Sequence, residues 1–347
     1  MPSVTITEND VQEAISKTLN WKSPGPDKLQ NFWIKKFTAL HTTIARIFCH
    51  ILQKPIDTPE FLVRGCTFLL PKNDANTDPA NYRPITCLPT MYKLLTSILT
   101  NKIQAHLDEQ KIMTEEQKGC YKYSKGCKDQ LIIDSIVTQQ ALKKQRNLSI
   151  TYIDYKKAFD SIPHSYLLEV LKIYKIAPNI IAFFELIMQK WSTTIKLNTI
   201  NGAQQSRAIY FHKGIFQGDS LSALWFCMCL NPLSKTLNHT GYGFKIVTSP
   251  KNNNYTLNHL LYMDDLKLYG NSPMQLQKLL TITNNFTKGV RMELGIGKCK
   301  SIHLQRGKLT TTDGYTLDEN TLIEDLKETE NYRYLGIAQL MGNPIHR

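Results

Sequence analysis

The sequence predicts an α+β fold, an antiparallel sheet in βαββαβ-like order with helices on one face. Three observations carry this. Leu148-Ser149-Ile150-Thr151-Tyr152-Ile153-Asp154 alternates as a strand and ends on a carboxylate. Leu260-Leu261 and Leu266-Lys267-Leu268-Tyr269 flank Tyr262-Met263-Asp264-Asp265, two strand-like runs around a tight acidic turn, which reads as a β-hairpin. Helical patterns stand around them, so that strand, helices, hairpin, helix and strand follow in that order.

From the N-terminus, Thr7-Glu8-Asn9-Asp10 caps a short amphipathic helix through Val11, Ala14, Ile15 and Leu19. Ser23-Pro24-Gly25-Pro26-Asp27 must break it, since two prolines and a glycine cannot continue a helix. A second helix is expected from Phe32 to Leu52, ended by Pro55 and Pro59, and a strand from Phe61 to Leu70, stopping at Pro71-Lys72. Asp78-Pro79-Ala80-Asn81-Tyr82-Arg83-Pro84 reads as a rigid turn before a helix from about Met91 to Leu107. Leu131 to Leu142 reads as a helix with Ile132, Ile136 and Ala141 facing inward. Pro163 suits the first turn of a helix through Leu167, Leu171 and Tyr174. Phe211 to Ser220 opens an apolar helix from Leu221 to Leu230.

The 347 residues suffice for one large domain or two to three small ones. Apolar content of 42% marks a globular chain rather than a disordered one. Lys plus Arg number 42 against 29 Asp plus Glu, a net charge of +13, which points first to nucleic acid as partner. Ribosomal association or solubilising lysines would produce the same excess. The eight cysteines form no Cys-x-x-Cys pair, which argues against a zinc quartet and suits reduced thiols in an intracellular protein. No basic-then-apolar leader marks secretion, and the longest apolar run is about half of a membrane span, so no membrane partner is expected.

Adjacent carboxylates repel and lose hydration when partly buried, so a fold has no structural use for Asp264 beside Asp265. A divalent cation reverses that argument, because hard oxygen ligands suit Mg²⁺; a solvated turn is the bland alternative. Asp154 at a strand end adds a third carboxylate, enough to hold two Mg²⁺ ions for in-line phosphoryl transfer. Asp160 reads as a turn or capping residue, and Asp219 and Ser220 as helix caps. Gly214 and Gly218 let backbone approach a ligand, and Gln217 can read a base edge or a template sugar. Lys118, Lys122, Lys125 and Lys128, interleaved with Tyr121 and Tyr123, can neutralise phosphates and stack on bases, or form an exposed loop.

Taken in order, Asn81-Tyr82-Arg83-Pro84-Ile85, Asp154 to His164, Gln217 to Ser222 and Tyr262 to Asp265 resemble the reverse transcriptases of non-LTR (LINE-type) retrotransposons. Ser23 to Asp27 resembles the segment before the family's fingers, Glu116-Gln117-Lys118-Gly119-Cys120 its fingers insertion, and Asn331 to Gly336 its primer grip. The likeness spans about residues 20 to 338. It implies a right-hand polymerase with an N-terminal helical extension at 1–60 and fingers at 61–147. The palm, with a ferredoxin-like core, would occupy 148–340, together with fingers segments at about 165–210 and the grip at its end.

The resemblance further implies Asp154, Asp264 and Asp265 as catalytic metal ligands, with the Tyr155 carbonyl helping. Phe159 would be a steric gate against ribonucleotides. Lys72 and Arg83 would grip the triphosphate, beside Gln217 and Gly218. Lys298 aligns with a pyrophosphate-protonating lysine, with a solvated lysine as the open alternative. Tyr334, Leu335 and Gly336 would support the primer end. Ser220 and Ala223 replace common prolines and Met263 a common alanine, changes that leave every ligand in place. The expected function is RNA-templated DNA synthesis from dNTPs on a DNA primer or target, with two Mg²⁺ ions or Mn²⁺ in their place, in nucleus and cytoplasm. The alternatives are a catalytically silent nucleic-acid-binding remnant and a two-metal nuclease. The last residue, Arg347, falls just past the grip match, so the expectation is a fragment with the thumb absent or truncated.

Overall fold

A strand whose six residues are all buried needs partners on both edges, and Leu148–Ile153 has them in the computed structural model of the chain. The structure describes residues 1–71, 78, 81–120, 124–199, 202–247, 255–318, 321–327 and 329–340. Lys308–Thr310, Lys300–Gln305, Leu148–Ile153, Asp265–Gly270 and His259–Tyr262 lie side by side in one five-stranded sheet, antiparallel throughout. Helices and sheets mix along the chain, so the α+β expectation holds.

The chain divides into two compact units. The first joins Met1–Ile112 to Ile162–Trp225. Its sheet sets Arg64–Pro71 between Tyr82–Cys87, antiparallel, and Ser192–Thr199, parallel. The second joins Met113–Ser161 to Phe226–Arg347 and contains the sheet around Leu148–Ile153. There a core of Val137, Ala141, Leu148, Ile150, Tyr152, Leu260 and Tyr269 fills the space between that sheet and the helix Cys127–Lys143. A separate two-stranded hairpin, Asn331–Tyr334 with Ile337–Leu340, contributes Tyr334 to the same core. The division falls inside the helix Ser220–His239, twice as long as the ten-residue run that the sequence marked.

Several local expectations change. The first helix has the anticipated Thr7–Asp10 capping box but stops at Ser16, leaving Leu19 73% exposed. The helix expected from Phe32 to Leu52 is broken at Phe37, whose ψ of 67° separates Asn31–Lys36 from His41–Gln53. Phe61 to Val63 form a 3₁₀ turn before the strand begins at Arg64. Tyr82, Arg83 and Pro84 belong to a strand and not to a turn; Pro84 is tolerated because that strand is at the sheet edge and needs no N–H there. Pro163 precedes the helix His164–Ile173 as its N-cap instead of entering it.

The largest change concerns Cys127–Lys143. Ile132 and Ile136 are exposed, at 57% and 44%, while Gln130, Asp134, Val137 and Ala141 are buried. The inward stripe is half polar because Gln130 and Asp134 have hydrogen-bond partners inside. Lys72, Tyr121, Lys122 and Tyr123 lie outside the described residues. No helix among the described residues is long and apolar enough to cross a membrane.

Candidate active site

The acidic hairpin turns on Met263 and Asp264, with Tyr262 and Asp265 as its closing pair. Met263 takes φ +53°, a left-handed backbone angle that ordinarily favours glycine, and Asp264 does not share the positive sign. A side chain in the left-handed region costs about 1–2 kcal/mol, so something must hold the turn. Gln117 does. Its buried amide accepts from the Met263 N–H at 3.0 Å and donates to the Met263 carbonyl at 3.2 Å. The same oxygen accepts from the Gly119 N–H at 2.9 Å.

Gln117 is itself fixed to the hairpin. Leu261 N–H donates to Glu116 O at 3.1 Å and Lys118 N–H to Leu261 O at 2.9 Å, a parallel bridge along His259–Tyr262. Gln130 Nε2 then reaches both Glu116 O, at 2.9 Å, and Leu261 O, at 2.8 Å. Sequence reasoning missed Gln117 and Gln130 as site residues. A polar stretch reads as loop, and no local signal says that its amides pair with a strand far away in the chain.

Asp154 follows the central strand. The antiparallel register pairs Ile153 with Leu266, so one step further brings Asp154 beside Asp265. Three carboxylates crowd this sheet end. Asp265 reaches solvent, yet desolvation by its surroundings, then the charges of Asp264 and Asp154, push its carboxyl up to about 6. Burial, and next Asp154, also raise Asp264, against its own backbone N–H and the cation of Lys298. Lys298 is exposed, and its Nζ is 3.3 Å from Asp154 Oδ2. Asp154 is gripped from beneath. Gly295 N–H donates to its carbonyl at 2.7 Å, and a Cβ at Gly295 would meet Asp154 Oδ2 at 2.5 Å, so a larger residue there would displace the carboxylate. Among the described residues, no three of His, Cys, Asp and Glu gather tightly enough to close around an ion.

Other candidates surround this end. Tyr155 is buried and bridges Leu294 through the backbone. The Phe159 ring stacks on Phe226, centroids 4.4 Å apart and 9° from parallel. Asp160 sits in the short helix Ala158–Ser161. Leu335 and Gly336, at φ +48° and +85°, form the two-residue turn of the Asn331–Leu340 hairpin. Tyr334 is buried, and Tyr332 stacks on Tyr152 at 4.0 Å. Burial first, then the charges of Cys299, Asp154 and Asp265, push the Tyr332 phenol up, so this hairpin packs on the acidic face of the sheet.

The remaining candidates belong to the first unit. Arg83 projects from the edge strand Tyr82–Cys87 and is exposed. Two residues past Pro84 comes Ile85's neighbour Thr86, whose N–H points to Gln217 O at 3.4 Å. Gly218, at φ +117°, lets the chain pass Thr86 O, which an added Cβ would meet at 3.2 Å. Asp219 caps the helix Ser220–His239 through the N–H groups of Ser220 and Leu221, as the sequence suggested, and accepts from the Thr96 hydroxyl at 2.6 Å. Burial pushes this carboxyl up to about 6 despite those bonds and Lys93. Thus Asp154, Tyr155, Asp264, Asp265 and Lys298 come together in the second unit, with Phe159 and the C-terminal hairpin in that unit too. Arg83, Gln217 and Gly218 are in the first.

Residues 70–338 match the family described as reverse transcriptase (RNA-dependent DNA polymerase). The chain is 25% identical, over 96% of its length, to the Retrovirus-related Pol polyprotein from type-2 retrotransposable element R2DM of Drosophila melanogaster, of which it covers 30%. It is 26% identical, over 95% of its length, to the corresponding polyprotein of the type-1 element R2 of Popillia japonica, covering 44%. It is 22% identical, over 97% of its length, to the RNA-directed DNA polymerase from mobile element jockey of Drosophila funebris, covering 35%. The chain therefore spans less than half the length of these relatives, and the resemblance to non-LTR retrotransposon proteins read from its sequence is borne out. A strand-end aspartate beside a Tyr-Met-Asp-Asp hairpin, inside a match that runs through most of the chain, makes this protein a member of the reverse transcriptase family.

Proposed function

We propose that this chain copies RNA into DNA, adding deoxynucleotides to a primer 3′-hydroxyl at the acidic end of the Leu148–Ile153 sheet. The observation that carries the reading is the crowding of Asp154, Asp264 and Asp265 at one sheet end, where burial first and neighbouring carboxylates next raise Asp264 and Asp265. Three carboxylates offset by the exposed Lys298 ammonium leave excess negative charge, and all their donors are hard oxygens, so their chemistry suits divalent Mg²⁺ or Mn²⁺, which would have to draw them closer together. Asp154, Asp264, Asp265 and the Tyr155 carbonyl would hold two such ions. When bound, the ions supply a lowered pKa at the primer hydroxyl and neutralise charge at the leaving pyrophosphate.

The chain's own residues do the positioning. Gln117 fixes the Met263 main chain and so the direction in which Asp264 and Asp265 point. Gly295 keeps room for the Asp154 carboxylate, and Lys298 holds one of its oxygens until a stronger cation competes. Phe159, braced by Phe226, would press on a ribose 2′-hydroxyl. Arg83 and Lys72 would bind the dNTP triphosphate, with Gln217 and Gly218 beside them in the dNTP site, and Tyr334-Leu335-Gly336 the primer end. In this reading the fingers comprise 61–147 and about 165–210, and the palm 148–340. The partners are an RNA template, a DNA primer or target and dNTPs inside the cell.

The test is primer extension on poly(rA) with oligo(dT), with the wild-type chain and Asp154→Asn, Asp264→Asn and Asp265→Asn. Extension that all three variants lose supports the reading. Bound but unextended primer would make the protein a silent binding remnant, and degraded primer would make it a nuclease.

A further inference from the structure

Lys267 takes no part in that chemistry, yet it is 1% exposed in the middle of the sheet, where a lysine almost never lies unpaired. It stands two residues after Asp265 on the same strand and so on the same face, directly opposite Tyr152, which itself stands two before Asp154. All three ammonium protons have acceptors: Asp134 Oδ1 at 2.6 Å, and Tyr152 Oη and Gln339 Oε1 at 3.0 Å each. The ring of Tyr152 lies 4.3 Å from Nζ and that of Tyr334 4.9 Å. Asp134 also accepts from Tyr269 Oη and from Gln339 Nε2, both at 2.7 Å. The Tyr152 hydroxyl donates to Gln339 as well.

A buried ion pair adds little stability that apolar side chains of the same volume would not. What charge-assisted bonds add is fixed direction and register. Register is what the C-terminal hairpin lacks. It is a two-stranded sheet of its own, and among the described residues no strand of the five-stranded sheet pairs with it. Tyr332 on Tyr152 supplies a flat stacking contact, which resists separation more than sliding. Gln339 supplies the connection that resists sliding, because its amide is held by Asp134 on one side and by Lys267 on the other.

We infer that the Asp134–Lys267–Gln339 cluster registers the Asn331–Leu340 hairpin against the strand that bears Asp265, making Lys267 and Gln339 positioning residues for the primer end. The inference rests on the polymerase reading for its consequence, not for its geometry. Gln339→Leu removes all three bonds of the amide, to Asp134, Lys267 and Tyr152, and leaves the Asp134–Lys267 pair at 2.6 Å intact. The expected result is faster hydrogen exchange in residues 331–340 with the rest of the sheet unchanged. Primer extension should show kcat lowered about 10–100-fold with the dNTP KM within about twofold, the size of effect that a misplacement of about 1 Å produces.

The triple variant Asp134→Leu, Lys267→Met, Gln339→Leu guards against simple unfolding, since an all-apolar replacement keeps the core filled. It should stay folded and remain slow. A triple variant with wild-type kcat, or Gln339→Leu with loosened hairpin exchange but unchanged kcat, overturns the positioning role. Unchanged exchange in Gln339→Leu overturns the register itself. A wild-type chain that extends no primer defeats the polymerase reading alone, because the exchange measurement needs no activity.

Discussion

Asp219→Asn should change the pH dependence of stability in a way that its geometry fixes. The carboxyl is buried and sits at about 6 in the fold against an ordinary value of 3.8, with burial as the main cause. A folded value above the unfolded one means that the fold prefers the protonated form. No penalty exists below about pH 4, and stability falls as pH rises through about 6. The difference, about two pH units, corresponds to about 3 kcal/mol at neutral pH and above. Asparagine carries no charge and still caps a helix, but it gives up one acceptor among Thr96, Ser220 and Leu221, a loss of about 1 kcal/mol.

The variant should therefore be more stable than wild type by about 2 kcal/mol at pH 8 and less stable by about 1 kcal/mol at pH 4. For a unit of this size that is a Tm about 4–8 °C higher at pH 8 and about 2–4 °C lower at pH 4. Thermal melts from pH 4 to 8 would show the two curves crossing. A constant offset across that range, or a variant less stable at pH 8, would mean that the buried carboxylate is fully compensated and the reasoning fails. Primer extension at pH 8 should stay near wild type, because Asp219 caps a helix and bears no proposed metal.

Asn at Asp154, Asp264 or Asp265 should lower dNTP incorporation by orders of magnitude while Asp160→Asn retains most of it. In metal-free buffer near pH 7, Asp265→Asn should raise Tm, since it removes a desolvated charge and with it the repulsion from Asp264 and Asp154; a lowered Tm would make the hairpin aspartates structural. Phe159→Ala opens the space beside Phe226 and should admit rNTPs, to be read in single-nucleotide incorporation; continued rejection would leave Phe159 as packing only. Gln117→Leu leaves both Met263 main-chain groups unpartnered and should cost about 1–3 kcal/mol in stability and about 100-fold in kcat. Denaturant melts and steady-state rates read both. Affinity for an RNA–DNA hybrid should fall steeply with salt, as a +13 chain binding phosphates requires. A flat response in anisotropy titrations would refute it.

The parts of the fold that the sequence revealed are those where local pattern and local structure agree, even where burial does not follow the pattern, as in Leu148–Ile153, buried on both faces. Leu148 to Asp154 alternates, the Leu260–Tyr269 hairpin brackets its own acidic turn, and both are strands in the structure. Asp154 and the paired aspartates were legible because charge at a strand end or a hairpin tip has no packing rationale. Ile132 and Ile136 misled because apolar residues ordinarily mark the inner face of a helix. Here Asp134 and Gln130 take that face through partners on other elements. Lys267 carries no local signal of its burial for the same reason. Nothing within a few residues of it announces that an aspartate, a tyrosine and a glutamine converge there. Tyr82 to Pro84 looked like a turn because proline content says nothing about whether an edge of sheet is nearby.

The clamp on Met263 touches only its backbone. Residue 263 can therefore drift in side chain over evolutionary time without unseating the two aspartates that follow it. The freedom is bounded by φ +53° and by the place of the Met263 thioether, 3.5 Å from Cys227 Sγ. Unbranched residues and glycine can adopt that angle at modest strain, whereas valine or isoleucine would crowd the main chain and fight the clamp. The turn thus separates what fixes the two aspartates, a main-chain clamp, from whatever residue 263 adds through its own side chain.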